Sequence, residues 1–285
     1  MGINISVSVD NQDPNKSTVD ASGTLQHIIT DEERSTFKLN DSQLKAAVKE
    51  YFGKAPNDAY LHSPTPWNDL YKRYNWDQVS TILKVEKAEI LGITSEPTII
   101  KSQEFINNSS SSEATYNVAI SETVTNTASS SWSTGGTLSF SEEVKFNFFL
   151  GEASASMSYS QSWGVGGEHS ESIAVGSEAG VQVTLQPGEG IIAQLTANRG
   201  VMKVRVTYKA YLDGTTAINY NPTYKDHHFW GLPLPLVMSA GNANNSIITT
   251  EDIEIGYFSE SRIEIKDIKT KALISTYNLV DLPGK

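Results

Sequence analysis

Between positions 138 and 163 the chain alternates apolar and polar residues twice, with a change of phase in between. Leu138, Phe140, Val144, Phe146 and Phe148 stand at even positions, with Ser139, Ser141, Glu143, Lys145 and Asn147 between them. Phe149 and Leu150 follow as an apolar tip. Beyond Leu150-Gly151, the odd positions carry Ala153, Ala155, Met157, Tyr159 and Trp163, with Ser154, Ser156, Ser158, Ser160 and Ser162 between. Side chains alternate across a strand, so each run reads as a β-strand with one apolar and one wet face. A two-residue turn at Leu150-Gly151 accounts for the change of phase. It sets Phe148 against Ala153, Phe146 against Ala155 and Val144 against Met157. On the wet face it sets Asn147 against Ser154, Lys145 against Ser156 and Glu143 against Ser158.

The same register runs outward to Ile120 with Val181, Val118 with Val183 and Tyr116 with Leu185. At about 35 residues per strand, such a hairpin would be roughly 115 Å long, more than a compact domain of this size holds straight. Gly135 and Gly136 fall almost opposite Gly164, Gly166 and Gly167, an arrangement suited to a hinge. The strand over 138–148 is close to the roughly 9–11 residues that a tilted strand needs to cross a bilayer. Two readings stay open here: a hairpin that inserts into lipid, and a sandwich hairpin packed on its own protein. Under the first, Glu143, Lys145, Asn147, Glu152, Ser154, Ser156 and Ser158 line a lumen. Glu142, on the apolar face, then requires headgroup depth or a bulge, and its protonation in mild acid should speed insertion.

Elsewhere the pattern divides the chain. Residues 1–40 read as a mobile polar arm with one edge strand at Ile3, Ile5 and Val7. A helix starts at Asp41, with Leu44, Ala47, Val48, Tyr51 and Phe52 at helical spacing and Gly53 as its stop. Pro56, Pro64 and Pro66 lead into a second amphipathic helix over 67–74. From position 77 β patterning takes over: 81–93, 98–106, 116–185, 191–212 and 253–273. Gly92, Pro187-Gly188, Asp213-Gly214 and Pro233 mark turns. The expected fold is mainly β, with long antiparallel strands and a small α/β N-terminal head. The expected division is an arm and receptor-binding head over 1–95, with 213–245 packed on it. The elongated body then comprises 96–212 and 246–285, with the insertion hairpin at 137–164.

Composition narrows the function. Among 285 residues, 33 acidic side chains face 22 basic ones, a net charge of −11, which argues against a nucleic-acid partner. There is no cysteine, which excludes disulfides and thiolate chemistry. Between 121 and 162 about two residues in five are Ser or Thr, a linker-like composition that the alternation overrides. No run of about 18 apolar residues exists to form a transmembrane helix. Residues 1–7 lack the features of a signal peptide, so the expected route is secretion or release without one, with action at the target cell membrane.

Motifs for catalysis or phosphate binding are absent, and the expectation is no enzyme, no cofactor, no catalytic residue and no metal. Glu168-His169-Ser170-Glu171 and Asp226-His227-His228 hold reactive side chains, but neighbours on a strand diverge. Aromatics gather at Tyr60, Trp67, Tyr71, Tyr74 and Trp76, and at Tyr220, Tyr224, Phe229 and Trp230. They form either a small core or a sugar-binding surface, for which Trp67, Tyr71, Tyr74, Trp76, Tyr220, Tyr224 and Trp230 are the candidates. The acidic stretch Asp31-Glu32-Glu33-Arg34 and Lys266, Lys269 and Lys271 read as accessible to trypsin.

Residues 198–208 (NRGVMKVRVTY) and 219–233 (NYNPTYKDHHFWGLP) resemble the spherulin-type encystment proteins and the insect follicular-epithelium yolk proteins. Residues 121–127 (SETVTNT) and Trp132-Ser133 resemble central strands of the same group. These belong to the aerolysin-like proteins, alongside clostridial epsilon toxin and bacterial mosquitocidal toxins. The resemblance implies a soluble monomer or small oligomer that binds a cell-surface receptor or glycan by its head. On the lipid bilayer it becomes a homo-oligomeric ring and inserts one hairpin per protomer into a closed barrel. The alternatives are a storage or dormancy protein and a soluble lectin-like module on the same fold.

Overall fold

The computed structural model describes residues 2–10, 13–133, 138, 140, 143–150 and 156–278. The chain opens with β1 (Ile3–Val9), β2 (Thr18–Ser22) and β3 (Thr24–Ile28). A small head follows: α1 (Asp31–Thr36), α2 (Asp41–Phe52), β4 (Asp58–Tyr60) and α3 (Pro66–Tyr74). The long strands begin with β5 (Ser80–Ile106) and β6 (Ala114–Trp132). Next come β7 (Glu143–Leu150), β8 (Met157–Ser162), β9 (Gly167–Leu185) and β10 (Gly190–Asp213). The chain returns to the head as β11 (Thr215–Tyr224), β12 (His227–Pro233) and α4 (Leu234–Ala240). It ends on β13 (Ser246–Asp267) and β14 (Leu273–Asn278).

The described residues form three sheets. The largest has the order β3-β5-β10-β13-β6-β9, with β14 also on β13. β5 alone has 27 residues, a contour of about 90 Å. It runs unbroken through positions 95 and 96 and through Gly92, which pairs with Lys203 instead of making a turn. A second sheet has the order β2-β1-β7-β8, and a third, in the head, β12-β11-β4. Val144, Phe146, Phe148 and Met157 of the second sheet join one buried cluster with Met202, Val204, Val206 and Tyr208 of β10 and Ile253, Ile255 and Tyr257 of β13. The second sheet is therefore laid face to face on the first.

The start of the chain is no mobile arm. Ile3, Ile5, Val7 and Val9 are buried, and β1 lies between β2 and β7, parallel to β7. Alternation at period two identified the strand but not its neighbours, since a buried inner strand of a one-faced sheet and an edge strand share that pattern. The acidic stretch after it is ordered as well. Thr30 and Glu33 form a capping box at the start of α1, and the buried Glu33 carboxylate accepts the Thr81 hydroxyl at 2.8 Å. At the other end Lys266 is tied to Glu264 at 3.0 Å and to Gln194 at 2.7 Å.

The hairpin register differs from the sequence expectation in both parts. At the tip, Phe148 pairs with Met157, Phe146 with Tyr159, Val144 with Gln161, Asn147 with Ser158, Lys145 with Ser160 and Glu143 with Ser162. The Ser156 amide donates to the Phe148 carbonyl at 2.7 Å, which closes a wider loop than two residues. Gly151, Glu152, Ala153, Ser154 and Ala155 lie outside the described residues. The register moves by an even number, so every side chain keeps its face, and alternation cannot distinguish such registers. In the stem Val118 pairs with Val181, Tyr116 with Val183 and Ala114 with Leu185, whereas Ile120 pairs with Ser177. The slip sits where Gly176 and Gly180 adopt φ of +108° and +71°, a conformation that suits glycine.

Candidate functional site

The feature that stands apart is the β7–β8 hairpin and its seat. β6 and β9 belong to the large sheet, yet the segment that joins them crosses over and forms the second sheet with β1 and β2. On its inner face Val144, Phe146, Phe148 and Met157 are buried. On its outer face Glu143, Lys145, Ser158, Ser160 and Ser162 are exposed and Asn147 is half-buried, accepting the Ser158 hydroxyl at 2.9 Å. Full burial of each large apolar side chain contributes about 1.5–3 kcal/mol, so the inner face is what holds the hairpin down.

The seat is aromatic. Phe146 stacks on Tyr159 at 4.9 Å, and Tyr159 stacks on His169 of β9 at 3.7 Å. Phe148 meets Tyr257, Trp163 meets Trp132 at 4.9 Å, and Trp132 stacks on Tyr208 at 5.4 Å. Phe140 is buried between Trp163 and His27, and Leu138, Phe149 and Leu150 are half-buried. The indole N–H groups of Trp132 and Trp163 are buried and find no hydrogen-bond partner among the described residues. Each unmade bond of that kind costs about 1–3 kcal/mol, which weakens the seat.

Of the glycines singled out as a hinge, three lie among the described residues. Gly135 and Gly136 lie outside the described residues, as does Glu142. Gly164, with φ of +77°, turns the chain out of β8, and Gly167 pairs with Ser130 of β6. Gly164, Gly166 and Gly167 thus mark the passage from one sheet to the other.

The aromatic candidates of the head divide by burial. Tyr71 is buried, and its hydroxyl donates to the carbonyls of Tyr60 at 2.8 Å and Thr215 at 2.9 Å. Tyr220 is buried too, its hydroxyl donates to the Lys54 carbonyl at 2.6 Å, and burial pushes its pKa up to about 12. These two serve the core and have no face to offer a ligand, which corrects their place among the candidates. Tyr224 and Trp230 are half-buried around Phe52, with the Lys225 ammonium 4.0 Å above that ring. Trp67 and Tyr74 are exposed, and Trp76 stacks on Tyr74 at 4.7 Å. Phe229 of β12 meets both Trp67 and Tyr74, and the Arg73 guanidinium lies 5.2 Å over Tyr74. Burial could not be read from the sequence, because a Tyr that packs its ring and bonds its hydroxyl has the same spacing as one that displays it.

Among the described residues no group of three His, Asp or Glu side chains forms a metal site, and no helix is long and apolar enough to cross a membrane. His228 Nδ1 lies 2.8 Å from the Tyr220 carbonyl, a structural contact within the β11–β12 hairpin.

Comparison with known proteins fixes the family. U-megalopygitoxin(8)-Mc8 of Megalopyge crispata is 37% identical over 270 residues, covering 95% of this chain and 94% of that protein. U-megalopygitoxin(8)-Mo12 of Megalopyge opercularis is 36% identical over 266 residues, covering 93% and 92%. The chain belongs to the U-megalopygitoxin(8) family. This member has an aerolysin-like fold. The solved structure of parasporin-2, a Bacillus thuringiensis toxin that recognizes cancer cells, matches it with a TM-score of 0.64 at 17% identity, over 90% of this chain and 100% of that one. No protein-family model matches the chain. The relatives are named as toxins, and the fold is shared with a solved bacterial toxin.

Proposed function

We propose that the protein is a β-pore-forming toxin whose 137–164 segment, centred on β7–β8, leaves its seat and enters the target membrane. The observation that carries this reading is the hairpin itself. Its inner face is apolar and buried on the body, its outer face is serine with few charges, and it belongs to a different sheet from the strands it connects. Released and joined edge to edge with copies of itself, it presents the apolar face to lipid and the serine face to water. Closure of the barrel removes the unpaired edge amides that a lone hairpin would carry into lipid.

In this reading the head of α1–α3, β4 and residues 213–245 binds a cell-surface receptor or glycan, with the exposed Trp67 and Tyr74 and the neighbouring Trp76 as contact surface. The long strands of the body pack side by side in a homo-oligomeric ring. Glu143, Lys145, Asn147, Ser156 and Ser158 line the lumen.

Single cysteines at positions 144, 146 and 148, carrying an environment-sensitive dye, are expected to report lipid in membrane-bound oligomers, and those at 145 and 147 to report water. Five identical reports would refute the assignment. Dye release from liposomes distinguishes a pore from a storage protein on the same fold, which leaves the vesicles intact.

A further inference from the structure

A carboxyl group lies under the hairpin with no cation paired to it among the described residues. Glu251 of β13 is fully buried. Its Oε2 accepts the Tyr208 hydroxyl of β10 at 2.7 Å, and its Oε1 accepts the Gln161 side-chain amide of β8 at 3.2 Å. The same amide donates to Ser130 Oγ of β6 at 3.3 Å. Gln161 is therefore a polar link between the hairpin and the body, and Glu251 is one of the two groups that it grips.

The surroundings leave little to offset a charge there. From β10 the facing titratable group is Tyr208, and from β8 it is Tyr159, with His169 of β9 stacked beyond it. From β6 come Ser130 and, against Tyr208, Trp132. Among the described residues no Lys, Arg or His forms an ion pair with Glu251. The neighbouring Asp252 and Glu254 are paired with Arg205 at 2.6 Å and Lys203 at 3.0 Å. In both pairs the side chains are well exposed, and Asp252 adjoins Glu251 on the opposite face of β13.

We propose that Glu251 is a proton-controlled latch: its neutral form holds β8 on the body, and its ionised form loosens it. This rests on the reading of β7–β8 as the segment that leaves, and it adds the condition under which it leaves. Burial pushes the Glu251 carboxyl up to about 7 against a free value of 4.5; the Tyr208 hydroxyl pulls the other way and does not cancel it. Once the hairpin lifts, the carboxyl meets water and regains its ordinary acidity. The docked state thus binds the extra proton between those two values. Docking is strongest below the free value, weakens as pH rises through about 7, and changes little above it. Release is favoured at neutral and alkaline pH, opposite in sign to the acid effect expected of Glu142.

The test is hydrogen exchange by mass spectrometry on the full-length protein in buffer, with rates corrected for the intrinsic effect of pH. The opening constant of the segments 143–150 and 157–162 is expected to rise at least tenfold between about pH 5.5 and pH 7 and then to level off, while β10 stays protected. Glu251→Gln, which imitates the neutral form, should abolish the rise and keep the hairpin closed throughout. Tyr208→Phe removes a bond that favours the ionised form, so it should move the midpoint to higher pH. A rise that persists in Glu251→Gln, or no rise in the unsubstituted protein, overturns the latch. If Glu251→Gln fails to fold, an unmoved midpoint in Tyr208→Phe overturns it instead. No membrane is involved, so a negative leakage result would count against the pore and leave this outcome standing.

Discussion

Phe148 of the hairpin and Tyr257 of β13 meet ring to ring, with centroids 5.6 Å apart and planes inclined at 44°. Tyr257 is held there by a glycine. It pairs across the strands with Gly200, and a Cβ on that residue would overlap the Cζ, Cε2 and hydroxyl of the tyrosine. The ring lies flat over the bare backbone, in the manner in which aromatic residues cover glycines in sheets.

Gly200→Ala is therefore expected to lift Tyr257 from its place and disturb Phe148 above it. The expected loss is about 1–3 kcal/mol, as for overpacking in a core. Chemical denaturation measures it. An unchanged midpoint would mean that the ring has a second resting place of equal energy.

Removal of a buried anchor should act on the hairpin first. Phe146→Ala deletes a side chain 2% exposed and stacked on Tyr159, at a cost of about 3–5 kcal/mol. Amide protection in β7 and β8 should collapse in this variant while that of β10 persists. Uniform loss across all strands would show that the second sheet has no separate stability.

The first strand should act as a clasp. Ser6 and Asn147 are aligned partners on neighbouring parallel strands, about 4.8 Å apart. A disulfide between cysteines at these positions is expected to allow membrane binding and to block leakage until a reductant is added. Leakage through a verified crosslink would mean that β1 travels with the hairpin.

In the head, burial separates two kinds of aromatic residue. Tyr71→Phe removes an O–H shared by the Thr215 and Tyr60 carbonyls, of which the second keeps the Thr216 hydroxyl at 3.1 Å, and should cost about 0.5–1.5 kcal/mol of stability. Trp67→Ala and Tyr74→Ala remove exposed rings. They should leave the denaturation midpoint nearly unchanged and weaken cell binding, which flow cytometry of labelled protein reads. Equal binding by both variants would remove this patch from receptor recognition.

The β character of the long strands was legible at the level of period two. Alternation put Phe146 and Phe148 on an apolar face and Lys145 on a wet one, and in the structure the first two are buried and Lys145 is exposed. Register was not legible, because pairings that differ by two residues leave every face unchanged. The glycine pair at 176 and 180 was the one local sign of the slip in the stem. The parallel partnership of Ile5 with Phe146 had no local signature at all, since it joins segments about 140 positions apart. Glu251 stayed hidden for a related reason. It lay just before the strand expected from Ile253, and its charge reads as solvent-facing although it stands in phase with Ile253 and Ile255 on the buried face.

The parallel seam between β1 and β7 also sets an order of assembly. During translation β1 leaves the ribosome well before the strand beside which it will lie, and β2 can pair with it early by a local turn. The hairpin that it will flank emerges much later and must find a strand already waiting. A nascent chain that has made β1 and β2 but not β7 therefore shows an open apolar strand edge, the kind of surface that recruits other chains. Yield of folded protein should be sensitive to elongation rate and to chaperones that occupy this edge, independently of the stability that the finished molecule attains.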